Sequence, residues 1–171
     1  SFKYLTAFLF GLLFLFNGFG QSYAPDDLSE PVFDSTGFVI DPDKGIVDEW
    51  RYSMHGSRKT YFFARYIEPV CVRVNNIKSP SDIDDFADEL VDLWELEEKT
   101  NGRFVFQIAV INQKRIVYRF GSRVERFYED DFIDELTEDI QSIHFGAATG
   151  TGSFVSISRL GGHIFETIAY D

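Results

Sequence analysis

An amphipathic helix flanked by apolar runs of β type constrains the fold of this chain more than any other feature. Residues 69–74 (PVCVRV) are apolar and rich in β-branched side chains, which is typical of a central strand. Residues 82–94 then place apolar side chains on one helical face and acids on the other. Two further apolar runs, residues 103–111 and 114–120, are separated only by a two-residue turn, which predicts a β-hairpin.

The order of predicted elements indicates an α/β fold with a small central mixed sheet and helices packed on its faces. A first helix begins near Val47 and is weakened or ended by residues 55–57. Another helix begins at residues 129–131. A glycine-rich loop at residues 146–152 is expected to be flexible, and a last helical pattern follows it. Gly161-Gly162 lies inside that pattern at a cost of roughly 2 kcal/mol relative to alanine.

The first 20 residues predict export. Lys3 precedes an uncharged apolar run at residues 5–16, and small residues follow, which is the order of a signal peptide. We expect cleavage after Gly20 or Ser22, a flexible mature N-terminus at residues 21–31 and a single domain at residues 32–171. The alternative is an uncleaved N-terminal anchor, which would then be the only link to a membrane.

Charge and cysteine content narrow the classes of function. The net charge of −12 argues against binding to nucleic acid or to anionic lipid, because both need cationic surfaces. Cys71 is the only cysteine, so no disulfide can form within the chain. We expect a small buried side chain in a strand, with an intermolecular disulfide as the alternative.

Two groups of acids are candidates for a Ca²⁺ site. Asp41 and Asp43 lie on a Pro-Gly turn, and Asp130 and Asp131 begin a predicted helix. Hard cations prefer several oxygen ligands, which these side chains would supply if the two segments met. The alternative for Asp41 and Asp43 is a solvated turn that caps a helix.

A second candidate site is the acidic face of the helix at residues 82–94, formed by Asp84, Asp85, Asp88 and Asp92. It is either the water-facing side of the helix or a docking face for a cationic partner. No catalytic residues are predicted, because the three histidines are scattered and no nucleophile–base or phosphate-loop motif occurs.

Four segments together resemble the TPM-domain family. Residues 39–47 (VIDPDKGIV) resemble its acidic turn before the first helix, and residues 69–78 its basic-ended strand. Residues 85–94 (DFADELVDLW) resemble its tryptophan helix. Residues 101–121 resemble its hairpin, which begins with Asn-Gly and ends in glycine. The resemblance covers residues 31–162 and is greatest to the branch named after the modulator of levamisole receptor.

That branch implies a non-catalytic accessory domain of an acetylcholine-gated, levamisole-type channel complex. The implied partners are cell-surface receptor or channel subunits, and the implied location is secreted or on the extracellular face of the plasma membrane. The family also implies an alternative, a metal-assisted acid phosphatase.

Overall fold

A computed structural model describes residues 20–33, 37–78, 82–146 and 150–168. Residues 1–19 of the predicted signal segment lie outside the described residues, as do residues 147–149 of the predicted loop at 146–152. The strands are β1 (Ser22–Tyr23), β2 (Val39–Ile40), β3 (Glu68–Val74), β4 (Asn76–Ile77), β5 (Phe104–Val110) and β6 (Arg115–Phe120). The helices are α1 (Asp48–Ser57), α2 (Ile83–Leu93), α3 (Leu96–Lys99), α4 (Asp130–Gly146) and α5 (Thr151–Ile168).

The main sheet has the order β2-β3-β5-β6 and is mixed, as the sequence predicts. β2, β3 and β5 run parallel, and β6 returns antiparallel to β5 with Val105 opposite Phe120 and Val110 opposite Arg115. The α/β fold class and the hairpin are therefore confirmed. The two-residue strands β1 and β4 form a separate parallel pair.

Helices cover both faces of the sheet, which explains why the central strands are apolar at nearly every position. On one face, Phe86 and Leu90 of α2 pack with Phe106 and Ile108 of β5. On the other, α1, α4 and α5 form a second core that includes the alternate β5 residues, such as Val105. The sheet is thus the middle of three layers.

Helix α2 confirms the predicted amphipathic helix, and an aspartate is its N-cap. Asp82 holds this place, and its Oδ1 accepts a hydrogen bond of 3.2 Å from the Asp84 N–H. A carboxylate here satisfies a free backbone donor and also interacts favourably with the helix dipole.

The expectation of a flexible N-terminus at residues 21–31 is wrong for the described chain. Ser22 and Tyr23 pair with β4, and the side chains of Tyr23 and Leu28 are buried in the α2-side core. Nζ of Lys78 lies 2.6 Å from Oδ2 of Asp27, and this ion pair is a further contact between the segment and the domain. Burial of two large side chains holds this segment against the domain.

The first helix ends within residues 55–57, as predicted, but a helical extension follows it. α1 ends at Ser57, but the chain continues through a π-helical turn (Arg58–Phe62) and a 3₁₀ turn (Phe63–Arg65). Phe62 is fully buried in this extension, and its packing overrides the local signal of Gly56. The segment ends at Tyr66, whose φ of 56° turns the chain into β3.

Candidate functional site

The loop after β2 organises the carboxyl end of the parallel strands. Asp41 follows β2 directly, and its side chain is fully buried. Its Oδ1 accepts a 3.0 Å hydrogen bond from the Gly45 N–H, and its Oδ2 accepts one of 2.7 Å from the Ile46 N–H. The carboxylate therefore fixes the turn that leads into α1.

Two arginines neutralise the Asp41 carboxylate. Arg51 of α1 donates from Nη2 to Oδ2 at 3.0 Å, and Arg73 of β3 lies with Nη1 3.7 Å from Oδ1. Arg51 is partly exposed, whereas Arg73 is buried. A charge removed from water costs several kcal/mol unless it is paired and hydrogen-bonded, and Asp41 meets both conditions.

Gly45 is the residue that lets Arg73 approach this turn. A Cβ placed on Gly45 would overlap the Arg73 guanidinium. The glycine in the DPDKG segment thus makes room for the cation that faces Asp41. We call Asp41, Gly45, Arg51 and Arg73 the arginine-clamped loop.

Asp43, two residues on, connects the same loop to other parts of the domain. Its Oδ2 accepts a 2.6 Å hydrogen bond from the Asn75 N–H, and its Oδ1 accepts one of 3.1 Å from the Tyr23 hydroxyl. Burial, followed by the hydrogen bond to Asp43, raises the pKa of Tyr23. Asp43 therefore joins β1, the loop and the end of β3.

The structure does not bring Asp130 and Asp131 to this loop. β6 runs antiparallel to β5, so its carboxyl end lies at the amino edge of the parallel strands. α4 begins just beyond that edge with Asp130 and Asp131 exposed. Asp41 follows the carboxyl end of β2, which is the opposite edge of the sheet.

The four acids predicted to bind calcium therefore do not form one cluster. Within the described ranges, no three His, Cys, Asp or Glu side chains are grouped so that they could hold a metal ion. The Asp41 carboxylate accepts three hydrogen bonds from its own chain and forms an ion pair with Arg73. The alternative of a solvated turn does not hold for Asp41, whose side chain is buried, whereas Pro42 and Lys44 of the same turn are exposed. Calcium binding by Asp43, Asp130 or Asp131 stays a prediction.

The acidic face of α2 divides into a paired half and an open half. Asp84 accepts hydrogen bonds from Arg115 at 2.8 Å and from Arg119 at 3.1 Å, and Asp88 accepts one from Arg119 at 2.6 Å. These arginines come from β6, so the pairs join helix to sheet. Asp85 and Asp92 are exposed and remain the candidates for a docking face.

Cys71 lies in the middle of β3 and is fully buried, as the sequence predicts. The Nε2 of Gln107 donates to its Sγ at 3.1 Å. Burial raises the pKa of the thiol to about 12. Nucleophilic thiols depend on a lowered pKa and an accessible sulfur, and Cys71 has neither.

The two arginines of the arginine-clamped loop were not among the residues predicted from the sequence. A signal for one of them was present, because Arg73 interrupts an otherwise apolar strand. Arginine is almost never fully buried without a partner, so such a position predicts a nearby carboxylate. Arg51 carried no comparable signal, because charged side chains on a surface helix are common.

Comparisons with known proteins define the fold alone. No family model and no curated protein matches the chain. The N-terminal domain of a protein from P. gingivalis is similar, with a TM-score of 0.70 at 20% identity, over 85% of this chain and 96% of that one. The N-terminal domain of the cg2496 protein from Corynebacterium glutamicum is also similar, with a TM-score of 0.52 at 9% identity, over 81% of this chain and 83% of that one.

Proposed function

We propose that this chain is a non-catalytic interaction domain of the TPM type that acts outside the cell. The observation that carries the proposal is that the Asp41 side chain is buried and bound by groups of its own chain. This carboxylate is the most deeply buried acid of the candidate site. Among the described residues, it accepts hydrogen bonds from Arg51 and two backbone amides and forms an ion pair with Arg73. An acid used in this way stabilises a loop and is not free to bind a substrate.

The other reactive group supports the same proposal. The Cys71 thiol is fully buried, and burial raises its pKa. Catalysis by a nucleophile needs an activating base within hydrogen-bond reach and access for the substrate. The bonds of Asp41 and the burial of Cys71 favour a binding role over a catalytic one.

The partner in this proposal is a cell-surface receptor or channel subunit. The finer assignment, to an acetylcholine-gated channel of the levamisole type, rests on the resemblance of four segments to that branch. Exposed acids on α2, including Asp85 and Asp92, would face a cationic surface. Such charges raise the rate of association more than the affinity.

The location in this proposal is the outside of the cell, either free or on the extracellular face of the plasma membrane. It rests on the apolar segment at residues 5–16. In the part of the chain that the structure describes, no helix combines the length and apolar character needed to cross a membrane. Under this proposal, a retained N-terminal segment would serve as the anchor.

Coexpression with channel subunits tests the partner. We expect the full chain to change the acetylcholine-evoked current and to reach the medium or the cell surface in fractionation. Asp85→Asn with Asp92→Asn should weaken this effect, whereas Asp134→Asn with Glu138→Gln on α4 removes the same charge elsewhere. An unchanged current, or a chain confined to the cytosol, contradicts the proposal.

The alternative is a metal-assisted acid phosphatase. Of the four candidate metal ligands, Asp130 and Asp131 are the exposed ones, which an added cation could reach directly. Hydrolysis of a phosphate ester that requires a divalent cation and is lost in Asp130→Asn with Asp131→Asn would favour this alternative.

A further inference from the structure

An open groove lies at the amino edge of the parallel strands. The arginine-clamped loop lies at the opposite edge of the sheet. Its volume is about 600 Å³, within the range of small-ligand sites. Four arginines line it together with apolar side chains such as Val124, Phe127 and Ile168. The arginines are Arg65, Arg103, Arg123 and Arg126.

The four arginines come from separate segments that meet because of the sheet topology. Arg65 ends the helical extension before β3, and Arg103 directly precedes β5. Arg123 lies in the turn after β6, and Arg126 lies in the 3₁₀ turn that follows (Glu125–Phe127). The antiparallel return of β6 places its end beside the start of β5, at the same edge of the sheet as the start of β3.

These side chains are the arginines that form no ion pair with the acids that the structure describes. Of the ten arginines in the sequence, six form ion pairs with carboxylates. Among the described residues, the other four have no such pair, and all four line the groove. The chain has 28 acids and 16 lysines and arginines, so acids are available to pair with every arginine. A cluster of arginines without ion pairs is therefore unexpected in this chain.

Arg65 shows that the groove has unused hydrogen-bonding capacity. Its guanidinium stacks on the Phe165 ring at 4.1 Å, and its Nη2 donates to the Phe165 carbonyl at 3.2 Å. Its Nε is buried and has no hydrogen-bond partner in the part of the chain described. A buried donor without an acceptor costs free energy, so Arg65 brings an unsatisfied donor to the lining of the groove.

We propose that this groove binds a phosphate group attached to an apolar body. Arginine forks match phosphate oxygens geometrically, and several of them around one site neutralise a dianion. Phe127 and Val124 offer an apolar wall for the rest of the ligand. The phosphate belongs to a free small molecule or to a lipid headgroup, and both sources present the same chemistry to the arginines.

Calorimetric titration of the full chain with phenyl phosphate tests the site, and vesicles of phosphatidylcholine with or without phosphatidic acid test the lipid source. Arg123 and Arg126 are exposed, so the variant Arg123→Gln with Arg126→Gln should fold normally, which thermal melting checks. We expect it to bind at least about tenfold more weakly, because it loses two charge-assisted contacts. Arg159→Gln, which removes an arginine of α5 that is paired with Asp139 of α4, is the control and should bind within about twofold of the parent.

Binding of either phosphate source that only the groove variant loses supports the site and identifies the source. Equal weakening in Arg159→Gln, or no binding of either source, overturns it. This inference is independent of the proposed function. Turnover of phenyl phosphate would contradict the non-catalytic proposal and leave the groove assigned, whereas failure to bind would remove the groove alone.

Discussion

Asp41 and Arg51 are joined across the start of α1, with Nη2 of the arginine 3.0 Å from Oδ2 of the aspartate. The aspartate side chain has no exposure to solvent, whereas the arginine keeps about a fifth of its surface in water (22%). Arg73 completes the pair from the sheet side at 3.7 Å. Asp41, which the sequence suggests as a metal ligand, therefore links β3, the loop and α1 through its contacts with Arg73, the loop amides and Arg51.

Asp41→Asn should destabilise the domain by about 3–5 kcal/mol, because it leaves Arg73 buried without its counter-charge. Urea unfolding followed by circular dichroism measures the change. Asp48→Asn, an exposed acid in the first turn of α1, is the control and should cost less than about 1 kcal/mol. Equal stability of the two variants would contradict the structural role of Asp41.

The adjacent glycines of α5 should respond oppositely to alanine. A Cβ on Gly161 would lie 2.7 Å from Tyr61 Cβ and 2.8 Å from the Phe62 ring, whereas a Cβ on Gly162 meets nothing within 4 Å. We expect Gly161→Ala to destabilise by about 1–3 kcal/mol through overpacking. Gly162→Ala should stabilise by up to roughly 1 kcal/mol through helix propensity. Thermal melts of both variants check this, and shifts of the same sign would refute the packing of α5 on the helical extension.

Cys71 should not react while the domain is folded. Burial raises the pKa of its thiol to about 12, so neither access nor thiolate is available near neutral pH. A thiol reagent such as iodoacetamide should label it slowly in buffer and fully in denaturant. Rapid labelling of the folded protein would place the sulfur at the surface.

The cap of α2 should make stability depend on pH in acid. The Asp84 N–H and then Arg115 lower the pKa of Asp82 below its ordinary value of 3.8. A lowered folded pKa adds stability above the unfolded value, and that stability is lost as the pH falls through the folded value. Asp82→Asn should therefore lose less stability than the parent between about pH 4 and 2. Denaturation midpoints at several pH values test this, and parallel slopes would argue against the cap.

Much of the fold follows from periodicity, and much of the site does not. The hairpin and α2 were predictable because both faces of β5 and one face of α2 are apolar, and the turn at Asn112-Gln113 separates the strands. The helical extension at residues 58–65 was not, because burial of Phe62 overrides its local signals. Gly161 looked like a cost within α5, yet its missing side chain is what admits Phe62.

The candidate site was harder to predict because its main contacts are long-range. Sequence places Asp41 on a turn, but its burial depends on Arg73, which comes from a strand 32 residues later. The acids of α2 looked uniformly exposed, yet Asp84 and Asp88 pair with β6 arginines more than 30 residues away. The arginines of the groove carry no local pattern, since strand pairing alone brings them together.

Hydrolysis of p-nitrophenyl phosphate by the purified full chain tests the non-catalytic account most directly. The assay is run in acid and at neutral pH, with Ca²⁺, Mg²⁺ or Zn²⁺ and with a chelator. The account predicts product release at the rate of the buffer blank in every condition. Turnover that depends on a metal and disappears in Asp43→Asn or in Asp130→Asn with Asp131→Asn would contradict it.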